Sequence, residues 1–153
     1  MMEHFKNMKY LIILIFITAN ISLFSQSYNK IDTNGLKTGL WIEKSDSLTI
    51  IGNYVFGKKN GSFTYYKKST LLKILTYKND SLSGYSISFN IDGSLSRKFM
   101  YEKDKLNGKA EFYSSKGEIL AKYEYLNNTI LRVDLYIIDK ETPPRSHDYT
   151  PRL

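Results

Sequence analysis

Four segments of this chain end on tyrosine at a nearly constant interval, and that interval constrains the fold more than any other feature. They are Gly52-Asn53-Tyr54, Leu75-Thr76-Tyr77, Phe99-Met100-Tyr101 and Tyr123-Glu124-Tyr125, with the tyrosines 23, 24 and 24 residues apart. Seven residues after each of the first three stands a glycine, at Gly61, Gly84 and Gly108; Arg132 takes that place after the fourth, and Gly39 precedes Gly61 by 22. A third series lies three residues past each tyrosine: Gly57, Asp80, Asp104 and Asn128, with Gly35 ahead of them, four residues before Gly39. Gly, Asn and Asp tolerate positive φ, so each unit supplies a tight reversal. Asn34-Gly35 is the cleanest hairpin signal of the set. A further turn falls nine residues past the glycine at Asp92-Gly93 and Lys116-Gly117, with Ser69-Thr70 and Asp46-Ser47 as weaker equivalents.

Two reversals per unit leave room for two short strands. The second strands are clearest: Leu48-Tyr54, Leu71-Tyr77, Leu95-Tyr101 and Ile119-Tyr125. Counting back from the tyrosine in steps of two gives Tyr77, Leu75, Lys73, Leu71, then Tyr101, Phe99, Arg97, Leu95, which is the alternation of a strand covered on one face. The first strands disagree in parity, because Trp41, Phe63 and Tyr65 pattern one way and Tyr85, Ile87 and Phe89 the other; a bulge or a sheet apolar on both faces would account for it. Thirteen Tyr and eight Phe against three Pro favour strands. Turns this short make successive strands antiparallel neighbours. The predicted fold is all-β, a repetitive antiparallel β-hairpin meander in which each hairpin buries its aromatic face only by stacking on the next. The repeat domain is expected over residues 27–139, with about four and a half repeats.

The ends read differently. Lys6 and Lys9 precede a 14-residue apolar run, Leu11 to Phe24, closed by the small residue Ser25. That order predicts a signal peptide over residues 1–26, and the run is short for a membrane span, about 21 Å against about 30 Å. Export to the periplasm, the outer surface or the medium follows. Residues 140–153 hold all three prolines and no aliphatic cluster, which predicts a disordered polar tail.

The stretch Tyr54-Val55-Phe56-Gly57-Lys58-Lys59-Asn60-Gly61-Ser62-Phe63, repeated without the tyrosine as Asn34-Gly35-Leu36-Lys37-Thr38-Gly39-Leu40-Trp41, resembles the MORN repeat. It is most similar to the bacterial antitoxin-like variant of that family, over roughly residues 33–138. The resemblance implies an open, twisted, single antiparallel sheet with a binding or scaffolding role, directed in some members at proteins or membrane phospholipids. Units three and four depart from the pattern with Ser86 and Ala110 at the aromatic position, and unit five lacks the glycine.

Zero cysteines exclude a disulfide scaffold, a thiol nucleophile and thiolate zinc sites. Past residue 26 the one histidine, His147, lies in the proline-bearing tail, so no Ser-His-Asp arrangement and no metal or cofactor site is expected. The carboxylates that could do acid and base work, Glu102 with Asp104 and Glu111 with Glu118, read as turn and solvent-face residues. Lysines gather instead around the glycine-flanking reversals, within a formal charge of +7. The expectation is a non-catalytic protein that acts as a protein–protein interaction or scaffolding module of the bacterial envelope. The alternatives are a toxin-neutralising immunity-like protein and a binder of anionic lipid or glycan. Nucleic acid would need a denser basic stripe and is not expected. The candidate binding surface comprises Trp41, Tyr65, Tyr66, Lys58, Lys59, Lys78, Lys103 and Lys105.

Overall fold

The computed structural model describes residues 27–136, so the expected signal peptide and polar tail lie outside the described residues. Eleven strands run in chain order: β1 (Lys30–Ile31), β2 (Lys37–Lys44), β3 (Leu48–Val55), β4 (Lys58–Lys59), β5 (Gly61–Lys67), β6 (Thr70–Lys78), β7 (Ser81–Phe89), β8 (Leu95–Glu102), β9 (Lys105–Tyr113), β10 (Ile119–Leu126) and β11 (Thr129–Leu135). All belong to one open antiparallel sheet ordered as they occur in the chain, with β4 a short continuation beside β3. The hairpin meander read from the sequence is the observed fold. The expected second strands are β3, β6, β8 and β10, each within a residue or so of its predicted bounds.

The reversals after the tyrosines have positive φ at both central residues, Phe56-Gly57, Asn79-Asp80, Lys103-Asp104 and Asn127-Asn128. These are type I′ turns, whose twist suits a two-residue hairpin. Asn34-Gly35 is a different turn. Only Gly35 has positive φ there, and the loop closes from Asp32 N–H to Leu36 C=O, as Asn90–Ser94 and Ser114–Glu118 also close. Its glycine therefore belongs structurally with Gly93 and Gly117 rather than with the turns after the tyrosines.

Each type I′ turn is clamped to the unit before it. The amide of Asp104 donates to Leu82 C=O at 3.0 Å, and the Leu82 amide donates to the Asp104 carboxylate at 2.6 Å. Asp80 makes the same pair of bonds with Lys59, at 3.0 and 2.7 Å, and Asn128 with Leu106, at 2.9 and 2.7 Å. Gly57 keeps only the backbone bond, to Lys37 C=O at 2.9 Å. At the three later turns the second residue therefore occupies the left-handed region and also presents a side-chain oxygen. Asp and Asn alone do both well.

A bulge makes room for that clamp. Leu75 pairs with Ser86 while Tyr77 pairs with Leu82, so Ser83, Gly84 and Tyr85 lie opposite Thr76 alone. Phe99 and Tyr101 face Ala110 and Leu106 in the same way, leaving Asn107, Gly108 and Lys109 opposite Met100. Gly84 and Gly108 take φ of 115° and 101° at the bulge centres, where an added Cβ would stand 3.0 Å from Thr76 and 3.3 Å from Met100.

Strand pairing places side chains on two faces, since paired residues point the same way. The aromatic face carries the core. On it Tyr54, Phe63 and Tyr65 pack with Trp41, Ile50, Leu75 and Tyr77, and a larger group built on Leu82, Phe99, Tyr101, Leu106, Phe112, Tyr123 and Tyr125 meets the same Leu75 and Tyr77. The tyrosines do not stack on one another along the repeat as a ladder would. Phe63 stands edge-on between Tyr54 and Tyr77, 5.3 Å from each, and Phe112 links Phe99 to Tyr123 at 5.1 and 5.5 Å. Such edge contacts add about 0.5–1.5 kcal/mol each beyond burial.

Large and small residues alternate across this face. Gly52 faces Trp41 and lies under Phe63, where an added Cβ would stand 2.3 Å from the ring. In later units the small residue moves to the first strand: Ser86 sits between Leu75 and Phe99, and Ala110 between Phe99 and Tyr123. The departures from the repeat pattern at Ser86 and Ala110 are thus the small partners that let the neighbouring rings close over them.

The clamp and the bulge give the first predictions. Asp104→Ala loses the Leu82 bond and strains the turn, about 2 kcal/mol in all, whereas Asp104→Asn retains the acceptor and loses well under half of that. Gly84→Val or Gly108→Val lowers stability by about 2–3 kcal/mol through the positive φ alone. Denaturant midpoints measured for the four variants check both statements, and equal midpoints for Asp104→Ala and Asp104→Asn would contradict the clamp.

Candidate functional site

Because the core occupies one face, the other is available for contact, and its side chains are set by the strand register. A single row crosses the whole sheet there: Ile42, Ile51, Thr64, Ile74, Ile87, Lys98, Glu111, Lys122 and Asp134, each paired with the next. Its first five members are aliphatic or threonine. The last four alternate in charge. Leu40, Tyr66, Tyr85 and Met100 belong to the same face by register. All are half-buried except Tyr85, which is exposed. The parity conflict in the first strands is resolved here: Tyr85 and Ile87 lie on the face opposite Phe63 and Tyr65, so the sheet has both a bulge and a second apolar surface.

The sequence candidates divide between the two faces and one edge. Tyr65 is a correction: it is 8% exposed, packed in the core, with its hydroxyl 3.4 Å from that of Tyr77, and it lines no surface. Trp41 is half-buried at the end of the same aromatic group, 6.1 Å from Tyr54, and its indole N–H donates to Lys30 and Thr38 carbonyls. Tyr66 lies on the second face opposite Thr49.

Lys58, Lys78, Lys103 and Lys105 are exposed at the type I′ turns along one edge of the sheet. Lys59 belongs to the same edge but lies over the rings of Phe63 and Tyr77, at 5.4 and 4.9 Å. Lys37 repeats this over Trp41 and Tyr54 and bonds the Glu43 carboxylate. The position two before each repeat glycine is therefore Lys37, Lys59, Leu82 and Leu106. In the first two units an alkyl stem and ammonium cover the aromatic row, and in the next two a buried leucine does.

The carboxylates weighed for chemistry are engaged in structural bonds. Glu102 accepts from the Asn107 amide at 2.6 Å and Asp104 holds the clamp. Glu111 accepts the Tyr113 hydroxyl at 2.8 Å, with Lys122 at 3.9 Å, and Glu118 faces the Ser114 hydroxyl at 3.5 Å. Among the described residues no three His, Asp or Glu side chains come together as metal ligands would.

Sequence reasoning did not assemble the second face. Its signal was the parity of Tyr85, Ile87 and Phe89, which needs the bulge position before it can be turned into a surface.

Tyrosine acidity reports the burial. Burial raises the phenols of Tyr54, Tyr65, Tyr101 and Tyr125 above their ordinary value, and the Glu43 carboxylate adds to the effect at Tyr54. Tyr113 is pushed up to about 12 by burial and by its bond to Glu111. A phenol whose folded pKa is raised contributes stability that is complete below the unfolded value, about pH 10, and is lost as pH climbs through the folded value. The expected outcome is a stability plateau that gives way above about pH 10, with ultraviolet titration showing a late tyrosinate phase that merges into the ordinary one in denaturant. Full tyrosine ionisation at the ordinary pH in the folded protein would contradict the buried row.

No family model matches the sequence, and no curated protein matches it. Among solved structures the chain is similar to a chain of the glycosylation-associated protein (Gap123) complex from Streptococcus agalactiae. The two are 16% identical with a TM-score of 0.42, over 76% of this chain and 23% of that one.

Proposed function

We propose that this chain is an exported, non-catalytic binding module whose second face docks another protein of the cell envelope. The observation that carries the reading is the half-buried row Ile42, Ile51, Thr64, Ile74 and Ile87 on the face opposite the aromatic core, flanked by half-buried Leu40 and Tyr66 and by exposed Tyr85. A single-layer sheet of this length buries one face in its own core and leaves a second that is apolar over half its length. Contiguous apolar surface rimmed by charge is the usual composition of a protein contact. Lys98, whose ammonium lies 4.4 Å over the Tyr85 ring, marks the border where the row turns polar. The basic Lys6 and Lys9 followed by the apolar run Leu11 to Phe24 support export, and the MORN resemblance supports a binding role over a catalytic one.

The reading has a direct test in the native host. A photo-crosslinking residue replacing Tyr85 should yield a covalent adduct with a second protein, whereas the same residue at Lys116, in a turn at the far edge, should not. Ile74→Glu with Ile87→Glu should abolish the Tyr85 adduct while leaving the circular dichroism of the sheet unchanged. Adducts of equal yield at both positions, or a Tyr85 adduct that survives the double substitution, would sink the proposal. An adduct to phospholipid alone would replace it with a lipid-binding role.

A further inference from the structure

The two ends of the sheet are finished differently. At the first end Asn29 lies along β2 and occupies its free backbone groups: the Asn29 amide donates to Leu40 C=O at 2.8 Å, its side-chain nitrogen donates to Ile42 C=O at 3.2 Å, and Ile42 N–H donates to its side-chain oxygen at 2.7 Å. That edge is blocked. At the other end β11 carries Leu131, Val133 and Leu135 at 61%, 45% and 57% exposure. Nothing among the described residues lies beyond it. Long apolar edge strands are what folded proteins ordinarily avoid presenting.

The backbone of β11 shows which groups point outward. Tyr136 N–H donates to Leu120 C=O at 2.9 Å, so by the alternation of an antiparallel ladder Asp134 and Arg132 also bond inward to β10. The amides and carbonyls of Val133 and Leu135 then face away from the sheet, ready for another strand.

We propose that β11 pairs with β11 of a second copy of this chain, antiparallel, about a two-fold axis normal to the sheet at Val133. Three features of the strand fit this register. Val133 faces its own symmetry mate, and both have outward backbone groups to exchange. Leu131, which the bulge between β10 and β11 leaves without a pairing partner on β10, falls opposite Leu135 of the second copy, so the most exposed apolar residues of the edge come together. Arg132 falls opposite Asp134 of the second copy, twice by symmetry, in the non-hydrogen-bonded pairs where side chains lie closest.

The charge pattern reaches further than that one pair. On the second face the series Lys98, Glu111, Lys122, Asp134 alternates in sign across four strands, and Lys109, Glu124, Arg132 does the same one row away. In the Val133 register the first series runs directly into the second: positive, negative, positive, negative at Asp134, then positive at Arg132, negative at Glu124 and positive at Lys109 of the second copy. Centring the axis on Leu131 or Leu135 instead opposes Arg132 to Ile130, or Asp134 to Tyr136, and breaks the alternation. The edge is self-complementary in a single register, as an isologous interface requires.

The test uses protein purified from cells expressing the full 153-residue chain, with its mass in solution followed by light scattering across micromolar concentrations. Wild type should reach twice the protomer mass. Arg132→Asp and Asp134→Arg should each weaken dimerisation by at least about tenfold, because each sets like charges against like at two symmetric places. The two variants mixed in equal amounts should dimerise again, since one chain then carries acidic groups at both positions and the other basic groups at both. A general loss of folding cannot produce that rescue. As a check on register, Val133→Cys introduces the sole cysteine of the chain at a site where facing Cα atoms lie about 5.5 Å apart, within disulfide range, and should oxidise to a covalent dimer. A wild-type chain that stays monomeric, or a mixture that stays as weak as its components, overturns the proposal.

Discussion

The clamp between each type I′ turn and the preceding unit is the interaction on which the rest of the sheet depends. A hairpin that turns after only two residues ends early, and its neighbour would be left with an N–H and a C=O unpaired at the rim. Leu82 shows how that is avoided: Asp104 supplies the donor from its backbone and the acceptor from its side chain. Buried or half-buried backbone groups without partners cost about 1–3 kcal/mol each, so the clamp is as much the avoidance of a penalty as a bond gained. Repeated at Lys59 and Leu106, it fixes the offset of every hairpin against the last. The bulges at Gly84 and Gly108, and with them the facing of each side chain, are set by that offset.

Facing in turn decides composition. Once the bulge holds Ser86 and Ala110 beneath large neighbours, the core is a series of rings closing over small residues, with Phe63 fully buried above Gly52 as the first instance. The edge-on contacts Tyr54–Phe63–Tyr77 and Phe99–Phe112–Tyr123 follow from that spacing, since a ring above a small residue has its neighbours' edges at its face. Lys37 and Lys59 close the end of the core where the leucines of later units are missing. Their ammonium groups remain at the surface while their stems cover rings.

The period of tyrosine, glycine and turn residue was legible in the sequence because each is imposed by backbone geometry at a fixed offset. It located the strands, the turns and the meander. The clamp's other partner was not legible: Lys37, Lys59, Leu82 and Leu106 share a position but no chemistry, since the bonds they make are through the backbone. Tyr65 was misplaced for a related reason. Its face depends on counting from Gly61 through β5, and an aromatic pair such as Tyr65-Tyr66 shows only that one ring points each way. The isoleucine row was hidden too, because Ile42, Ile51, Ile74 and Ile87 become neighbours only when the bulges are placed. The expected signal peptide and tail lie outside the described residues.

Sheets assembled from stacked hairpins face a problem that closed barrels do not, namely what to do with the last strand. This chain answers it twice. At β2 a single side chain, Asn29, stands in for a strand by presenting the donor and acceptor that Ile42 needs. At β11 no such substitute is present among the described residues, and the repeat signature itself is altered: Arg132 occupies the place of the glycine, and its guanidinium bonds Asp134 at 3.0 Å on the same face. The ladder between β10 and β11 keeps a one-residue bulge at Leu131, but the position that glycine holds in the earlier units now carries a charged side chain. What replaces it is a charge pair whose members are two residues apart, the spacing at which an antiparallel copy of the same strand presents each to the other. In the proposed pairing of two copies, the change at position 132 supplies the cation that Asp134 of the second copy would meet.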